Sequence, residues 1–179
     1  LENASDEVSA IFGSSTAQLD ISSTTNIFNS GSGEVLGENI NSGFYPFVPD
    51  MEWDSWITIG SGPDGPANTA YIVALPSTTA IDDVIDNQLA GGNLIINDGS
   101  WYSNTGVAAS GPNNRVLLAQ ITTDGVLSWN MSIQVFDDGD GANATYRYTW
   151  NGDTEVVPGV PGDYDGYCKG LSSAALTDT

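Results

Sequence analysis

The chain has 179 residues and carries 23 acidic side chains against three basic ones, so its formal net charge is −20 at pH 7. Because phosphates and anionic lipid headgroups are bound through Lys and Arg, this charge excludes nucleic-acid binding and attraction to an anionic membrane surface. The chain also has no histidine, which removes the usual proton shuttle near neutral pH and the commonest zinc ligand. Ser-His-Asp, Cys-His and zinc-hydrolase chemistries therefore lack a required residue.

The composition predicts one all-β domain. Hydrophobic residues make up 40% of the chain, enough to build a core, while glycine is frequent and Lys and Arg, which favour surface helices, are scarce. We expect an antiparallel β-sandwich, jelly-roll-like or immunoglobulin-like, over residues 11–157. A polar tail or assembly strand at 1–10 would precede it, and a Pro/Gly-rich tail or linker at 158–179 would follow. No apolar stretch approaches the roughly 20 residues that span a bilayer.

In chain order, the first strand-like segment runs from Ile11 to Phe28, and further strands are expected at Trp53–Gly60 and Thr69–Leu75. Ser77–Leu89 carries the only helical spacing of apolar residues, so at most one short helix is predicted near 78–89. Two short strands within 93–103 flank the dipeptide Asp-Gly, which is a hairpin signal.

The clearest pattern lies at Val126–Phe136 and Asn143–Trp150, where apolar and polar residues alternate with a period of two. Two such strands joined by a Gly/Asp loop predict an antiparallel hairpin. Pairing around that loop would place Ser132 beside Arg147 on the solvated face and Ile133 beside Tyr146 on the buried face.

Two acidic segments are candidate calcium sites, since calcium prefers oxygen ligands held in a permissive loop. The first contains Asp137, Asp138 and Asp140, but its spacing is not that of an EF-hand, and an ordinary Asp-Gly turn is the competing interpretation. The second is Asp50, Glu52 and Asp54, which in an extended segment would project from one face. A solvated acidic rim and a glycosidase-like carboxylate pair are the alternatives there. Calcium is the only cofactor expected.

Aromatic residues and sequons give weaker indications. Trp129 and Trp150 are in phase with core positions, whereas Trp101 and Tyr102 beside a glycine turn are the candidates for an exposed platform that stacks on sugars. Asn-X-Ser/Thr sequons begin at three positions, of which the second and third fall on the predicted solvated face and could carry glycans. These positions are Asn3, Asn130 and Asn143.

Three segments resemble a poorly characterised module of large secreted proteins in marine bacteria and aquatic microbial eukaryotes, which carries a DSWVTIG-like motif. They are FYPFVPDMEWDSWITIG (Phe44 to Gly60), GGNLIINDGSWYS (Gly91 to Ser103) and RVLLAQITTDGVLSWNMSIQVF (Arg115 to Phe136). The resemblance implies an extracellular adhesive or structural β-module and assigns no catalytic residues.

The sequence therefore leads us to expect a secreted, non-enzymatic structural or adhesive subunit of an extracellular assembly, such as a surface fibre or filament. Its partners would be copies of itself or neighbouring modules. One terminal segment, Leu1–Phe12 or Val156–Thr179, would lie against a neighbour, where it could add a strand to an exposed sheet edge. The alternative is a calcium-assisted carbohydrate-binding module.

Overall fold

The computed structural model describes residues 1, 3–66, 70–74, 93–108, 114–142, 145–151 and 154–156. These residues form ten strands and four short 3-10 helices, and none of the described helices is long and apolar enough to cross a membrane. The strands are β1 Glu7–Gly13, β2 Leu19–Ser23, β3 Trp56–Ile57, β4 Tyr71–Ala74, β5 Leu94–Ile96, β6 Gly99–Ala108, β7 Ala119–Gln120, β8 Leu127–Phe136, β9 Thr145–Asn151 and β10 Thr154–Val156. The 3-10 helices are Gly37–Asn39, Ser42–Phe44, Pro49–Trp53 and Asp137–Gly139.

The prediction of an all-β, antiparallel architecture is confirmed. Eight strands form one sheet in the order β10-β9-β8-β1-β6-β4, with β2 pairing to β8 and to β5, and β3 pairs with β7 in a second, two-stranded sheet. The ten-residue strand β8 organises the large sheet, because β9 lies along one of its edges while β1 and β2 share the other. The arrangement is sandwich-like, with a second layer that consists largely of irregular segments.

The core lies between the large sheet and this second layer. Ile11 pairs with Trp101 on one side and Ile133 on the other, so the three side chains lie in one row on the inner face. Ile57 and Ile59 pack against this face from the second layer, and Trp129 is buried in the same cluster, as its alternation predicts. Because Trp101 donates a 3.0 Å hydrogen bond from Nε1 to the carbonyl of Thr58, burial does not leave its polar atom unpaired.

Two expectations about strand position are corrected. Residues 7–10, expected in a polar tail, belong to β1 in the middle of the sheet, where Val8 and Ile11 are core residues. The segment expected to pair with a neighbouring copy therefore completes the sheet of its own chain. The two strands flanking Asp98-Gly99 do not form a hairpin with each other, because β5 pairs with β2 while β6 pairs with β1 and β4.

The long hairpin is present, but its register is shifted by two residues. Ser132 pairs with Thr149 instead of Arg147, and Ile133 pairs with Tyr148. The 3-10 turn at Asp137–Gly139 lengthens the connection, so that Phe136 pairs with Thr145. A shift of two preserves the facing of every side chain. Ser132 is nevertheless buried, although its face was predicted to be solvated.

Candidate functional site

The acidic loop after β8 is brought together with a residue that the sequence did not single out. Asp6, Asp137 and Asp138 each present a carboxylate oxygen within 4.8 Å of the others, and they are the only such group found in the part of the chain that the structure describes. Asp140 is not part of it. The sequence offers no local signal for Asp6, because it is 131 residues from Asp137 in the chain.

Hydrogen bonds hold this loop in place. Buried Asp6 accepts bonds from the amide of Asn3 (2.9 Å) and from that of Asp138 (3.1 Å), while the hydroxyl of Ser5 donates to Asp138 at 2.6 Å. Asp138 has φ 50° and Gly139 has φ 75°, a left-handed turn that Asp and Gly tolerate. The three carboxylates are close enough to share one divalent cation, and the same hydrogen bonds also complete the turn without one. Calcium binding in this loop, expected at Asp137, Asp138 and Asp140, stays a prediction.

The second acidic segment does not form the expected row of carboxylates. Pro49–Trp53 is a 3-10 helix, not an extended segment, so Asp50, Glu52 and Asp54 do not share one face as a strand would require. Asp50 and Glu52 are exposed, whereas Asp54 is buried and accepts hydrogen bonds on both carboxylate oxygens. Its donors are the amides of Ser30 (2.8 Å) and Glu34 (3.0 Å). Asp54 is thus a structural anchor.

The expected sugar-stacking platform is also corrected. Trp101 is fully buried in the core, because it faces inward from the central part of the sheet. Tyr102 faces the other side, where its ring lies 5.7 Å from that of Tyr71 at an interplanar angle of 33°. Tyr102 is half-buried and Tyr71 is exposed. The pair is accessible, but it lacks the tryptophan that motivated the prediction.

The sequons differ in accessibility. Asn3 and the two residues that follow it are exposed. Asn130 is half-buried in the middle of β8, between β2 and β9, and Ser132 of the same sequon is buried. Asn143 lies outside the described residues, as do the predicted helix near 78–89 and the side chain of Trp150.

The exposed aromatic residues lie elsewhere. In the turn after Asn41, Tyr45 and Val48 pack against a small cluster of Ile40, Met51 and Trp56. Phe44 and Phe47 point the other way and are 53% and 81% exposed. We call this pair the aromatic knob. Sequence reasoning missed it because an aromatic run normally indicates burial, and only the tight turns at 42–48 show which residues face out.

Hydrogen bonds to Asp64 hold the turn that carries the aromatic knob. Asp64 accepts a 3.0 Å hydrogen bond from the amide of Ser42, and its own amide donates to the carbonyl of Ile40 at 3.0 Å. Burial raises the pKa of the Tyr45 hydroxyl above its ordinary value of 10.0, and the negative charges of Asp64, Glu52 and Asp54 raise it further. The turn that carries the knob is therefore held by hydrogen bonds and has several carboxylates around it.

An open cleft of about 810 Å³ lies beside the second acidic segment. Trp53 and Phe28, 59% and 38% exposed, present their rings there. Asp50 and Asp124 contribute carboxylates to its lining. The remaining lining residues are largely polar, and they are Thr25, Asn26, Ile27, Asn29, Thr122 and Thr123.

Comparisons of the chain with protein-family models, with curated proteins and with solved structures found no match. Functional argument therefore depends on the chain's own residues.

Proposed function

We propose that the chain is a non-catalytic structural or adhesive module of an extracellular assembly, and that the aromatic knob is its contact with a neighbouring copy. The observation that carries this proposal is the exposure of Phe44 and Phe47 in a segment whose other apolar residues are packed. Exposed apolar surface on an anchored turn is typical of an interaction site.

The free energy gained by burying the two rings is sufficient for a weak contact that is repeated along an assembly. Fully burying an exposed Phe contributes about 1.5–3 kcal/mol. Because Phe44 is already about half buried, we expect the two rings together to contribute about 2–4 kcal/mol. Subunits with a net charge of −20 repel each other, so this contact needs screening salt or bound cations.

The extracellular location rests on different grounds. The acidic, cation-poor composition suits a salty medium that contains calcium, and three segments resemble a module of large secreted proteins. Strand addition by the N-terminal segment is no longer part of the proposal, since β1 occupies the centre of its own sheet. The C-terminal candidate, Val156–Thr179, lies almost entirely outside the described residues.

Sedimentation velocity in seawater-like salt with calcium tests the proposal. Wild-type chain should associate as its concentration rises, and the double variant Phe44→Ser/Phe47→Ser should stay monomeric while keeping its thermal stability. Val126→Ser is the matched control, because Val126 is also highly exposed (68%) but lies just before β8. A wild-type chain that remains monomeric at high concentration, or a control that loses association equally, would show that the knob is not an assembly contact.

A further inference from the structure

The open cleft lined by Trp53 and Phe28 has the size and lining of a small-ligand site. Its volume of about 810 Å³ falls within the roughly 300–1,000 Å³ of typical ligand pockets. The exposed faces of Trp53 and Phe28 supply apolar surface, and most of the other lining residues carry a hydroxyl, amide or carboxylate group. A ligand that fits must therefore combine apolar faces with many hydrogen-bonding groups.

One wall of the cleft is ordered by its own hydrogen bonds. Thr123 accepts a 3.1 Å bond from the amide of Gly125 and donates to the carbonyl of Asn26 at 2.9 Å. Thr25 lies 3.0 Å from Thr123, oxygen to oxygen, and donates to the carboxylate of Asp124. These contacts fix the polar groups before a ligand arrives, which reduces the entropic cost of binding.

The segments that carry the two aromatic rings are held by hydrogen bonds as well. Trp53 ends the 3-10 helix, and the next residue, Asp54, binds the amide of Ser30, which lies two residues after Phe28. The amide of Phe28 itself donates to the carbonyl of Thr122 at 2.7 Å. The two rings are thus carried by segments that are hydrogen-bonded to each other and to the chain at Thr122.

Charge selects the class of ligand. Among the described lining residues are two carboxylates, Asp50 and Asp124, and no Lys or Arg. An anionic ligand would be repelled, whereas the C–H faces of a neutral pyranose stack on aromatic rings and its hydroxyls donate to carboxylates. We propose that this cleft binds a neutral saccharide, with Trp53 as the stacking residue and Asp50 and Asp124 as hydrogen-bond acceptors.

This site is independent of the proposed assembly contact. Phe44 and Phe47 do not line the cleft, and Trp53 is not part of the aromatic knob. The two ideas therefore fail separately: the knob variants test association, and the cleft variants test ligand binding.

Isothermal titration calorimetry on the full chain, with calcium present, tests the inference. The probes are neutral hexasaccharides derived from cellulose, xylan, mannan and β-1,3-glucan, together with oligomers of galacturonate and alginate. At least one neutral series should bind, and Trp53→Ala should weaken it by about tenfold or more, as expected for a stacked tryptophan anchor. Trp53→Phe should restore part of the affinity, and the control Phe47→Ala should leave it unchanged.

Three results would overturn the inference. The first is no binding of any neutral probe at roughly millimolar concentration, where even weak sites give a signal. The second is neutral-probe binding that Trp53→Ala does not change. The third is uronate binding that Trp53→Ala abolishes, since the two carboxylates of the cleft should reject such ligands. Because Trp53 is largely exposed, its substitution should not unfold the chain, and thermal melts of each variant verify this.

Discussion

Replacing Asp54 should cost a large share of the folding free energy, because this buried carboxylate joins two segments that are distant in the sequence. Its oxygens accept bonds of 2.8 Å and 3.0 Å from the amides of Ser30 and Glu34. Hydrogen bonds to a charged group contribute about 1.5–3 kcal/mol each, and a buried amide left without its partner is costly. Asp54→Ala is therefore expected to destabilise the fold by about 3–6 kcal/mol, against a typical total of about 5–15 kcal/mol.

Urea unfolding measures this loss as a fall in the midpoint at constant slope. Asp54→Asn should lose about half as much stability. Its side-chain oxygen can still accept one of the two hydrogen bonds, but its NH2 group would face the other backbone N–H, and two donors cannot bond to each other. Asp50→Asn is the matched control, because that carboxylate is exposed on the same helix, and its effect should stay within about 0.5 kcal/mol.

A double-mutant cycle between Asp54 and Gly33 distinguishes the loss of the Asp54 carboxylate contacts from a general loss of packing. A Cβ atom at Gly33 would lie 1.9 Å from an Asp54 carboxylate oxygen, so Gly33→Ala should be strongly destabilising when Asp54 is present. Once Asp54→Ala has removed the carboxylate, the added methyl group has room, and the two losses should not add. Additive losses, or an Asp54→Ala variant as stable as wild type, would refute the view that Asp54 holds these segments together.

Three further predictions concern the charged and modified residues. Calcium should stabilise the folded chain more than sodium chloride of matched ionic strength does, and the melting temperature should rise accordingly. At a hundredfold excess over the dissociation constant, the added stability is about 2.7 kcal/mol. Asp138→Asn, which tolerates the left-handed turn, should abolish that increment, and an unchanged melt would end the calcium hypothesis for the loop. Because the folded-state pKa of the Tyr45 hydroxyl is raised, the stability that its protonated form contributes is intact below pH 10 and is lost as the pH rises through the folded-state pKa. Urea unfolding at pH 8 and pH 11 should therefore show a smaller loss of stability at the higher pH for Tyr45→Phe than for wild type. In a glycosylating host, mass spectrometry should find glycan on exposed Asn3 and not on half-buried Asn130, and an occupied Asn130 in folded protein would contradict the strand position of that sequon.

Strand position and facing are easiest to predict from the sequence where a strand has one buried face over many residues. Apolar and polar residues alternate without interruption from Leu127 to Val135, and the strand and the inward facing of its apolar residues are as expected. Residues 7–10 of β1 were not predicted as part of a strand, because the pairing register shifts between Val8 and Ala10. The irregularity turns both Val8 and Ile11 toward the core, and a spacing of three resembles a helical turn more than a strand.

The candidate sites were harder to predict for a related reason. Asp137 and Asp138 were identified from their own loop, but Asp6 joins them only through the pairing of β1 with β8. Trp101 was expected on the surface and is buried, whereas Trp53 had no expected role and is exposed, because local sequence does not show which aromatic residue faces the second layer. That choice is made by long-range contacts, such as the hydrogen bond from Trp101 to Thr58.

The buried carboxylates show how a chain with three basic side chains accommodates acidic residues in its interior. Asp54, Asp6 and Glu38 each accept at least one hydrogen bond from a backbone amide. Backbone amides are available all along the chain, and they can satisfy the hydrogen-bonding capacity of a buried carboxylate. Such anchors join segments that are distant in the sequence, as Glu38 does with Ala70. The acidity of the chain thus has two separable consequences, since exposed carboxylates repel neighbours until salt screens them, while the buried ones anchor backbone segments by accepting amide hydrogen bonds.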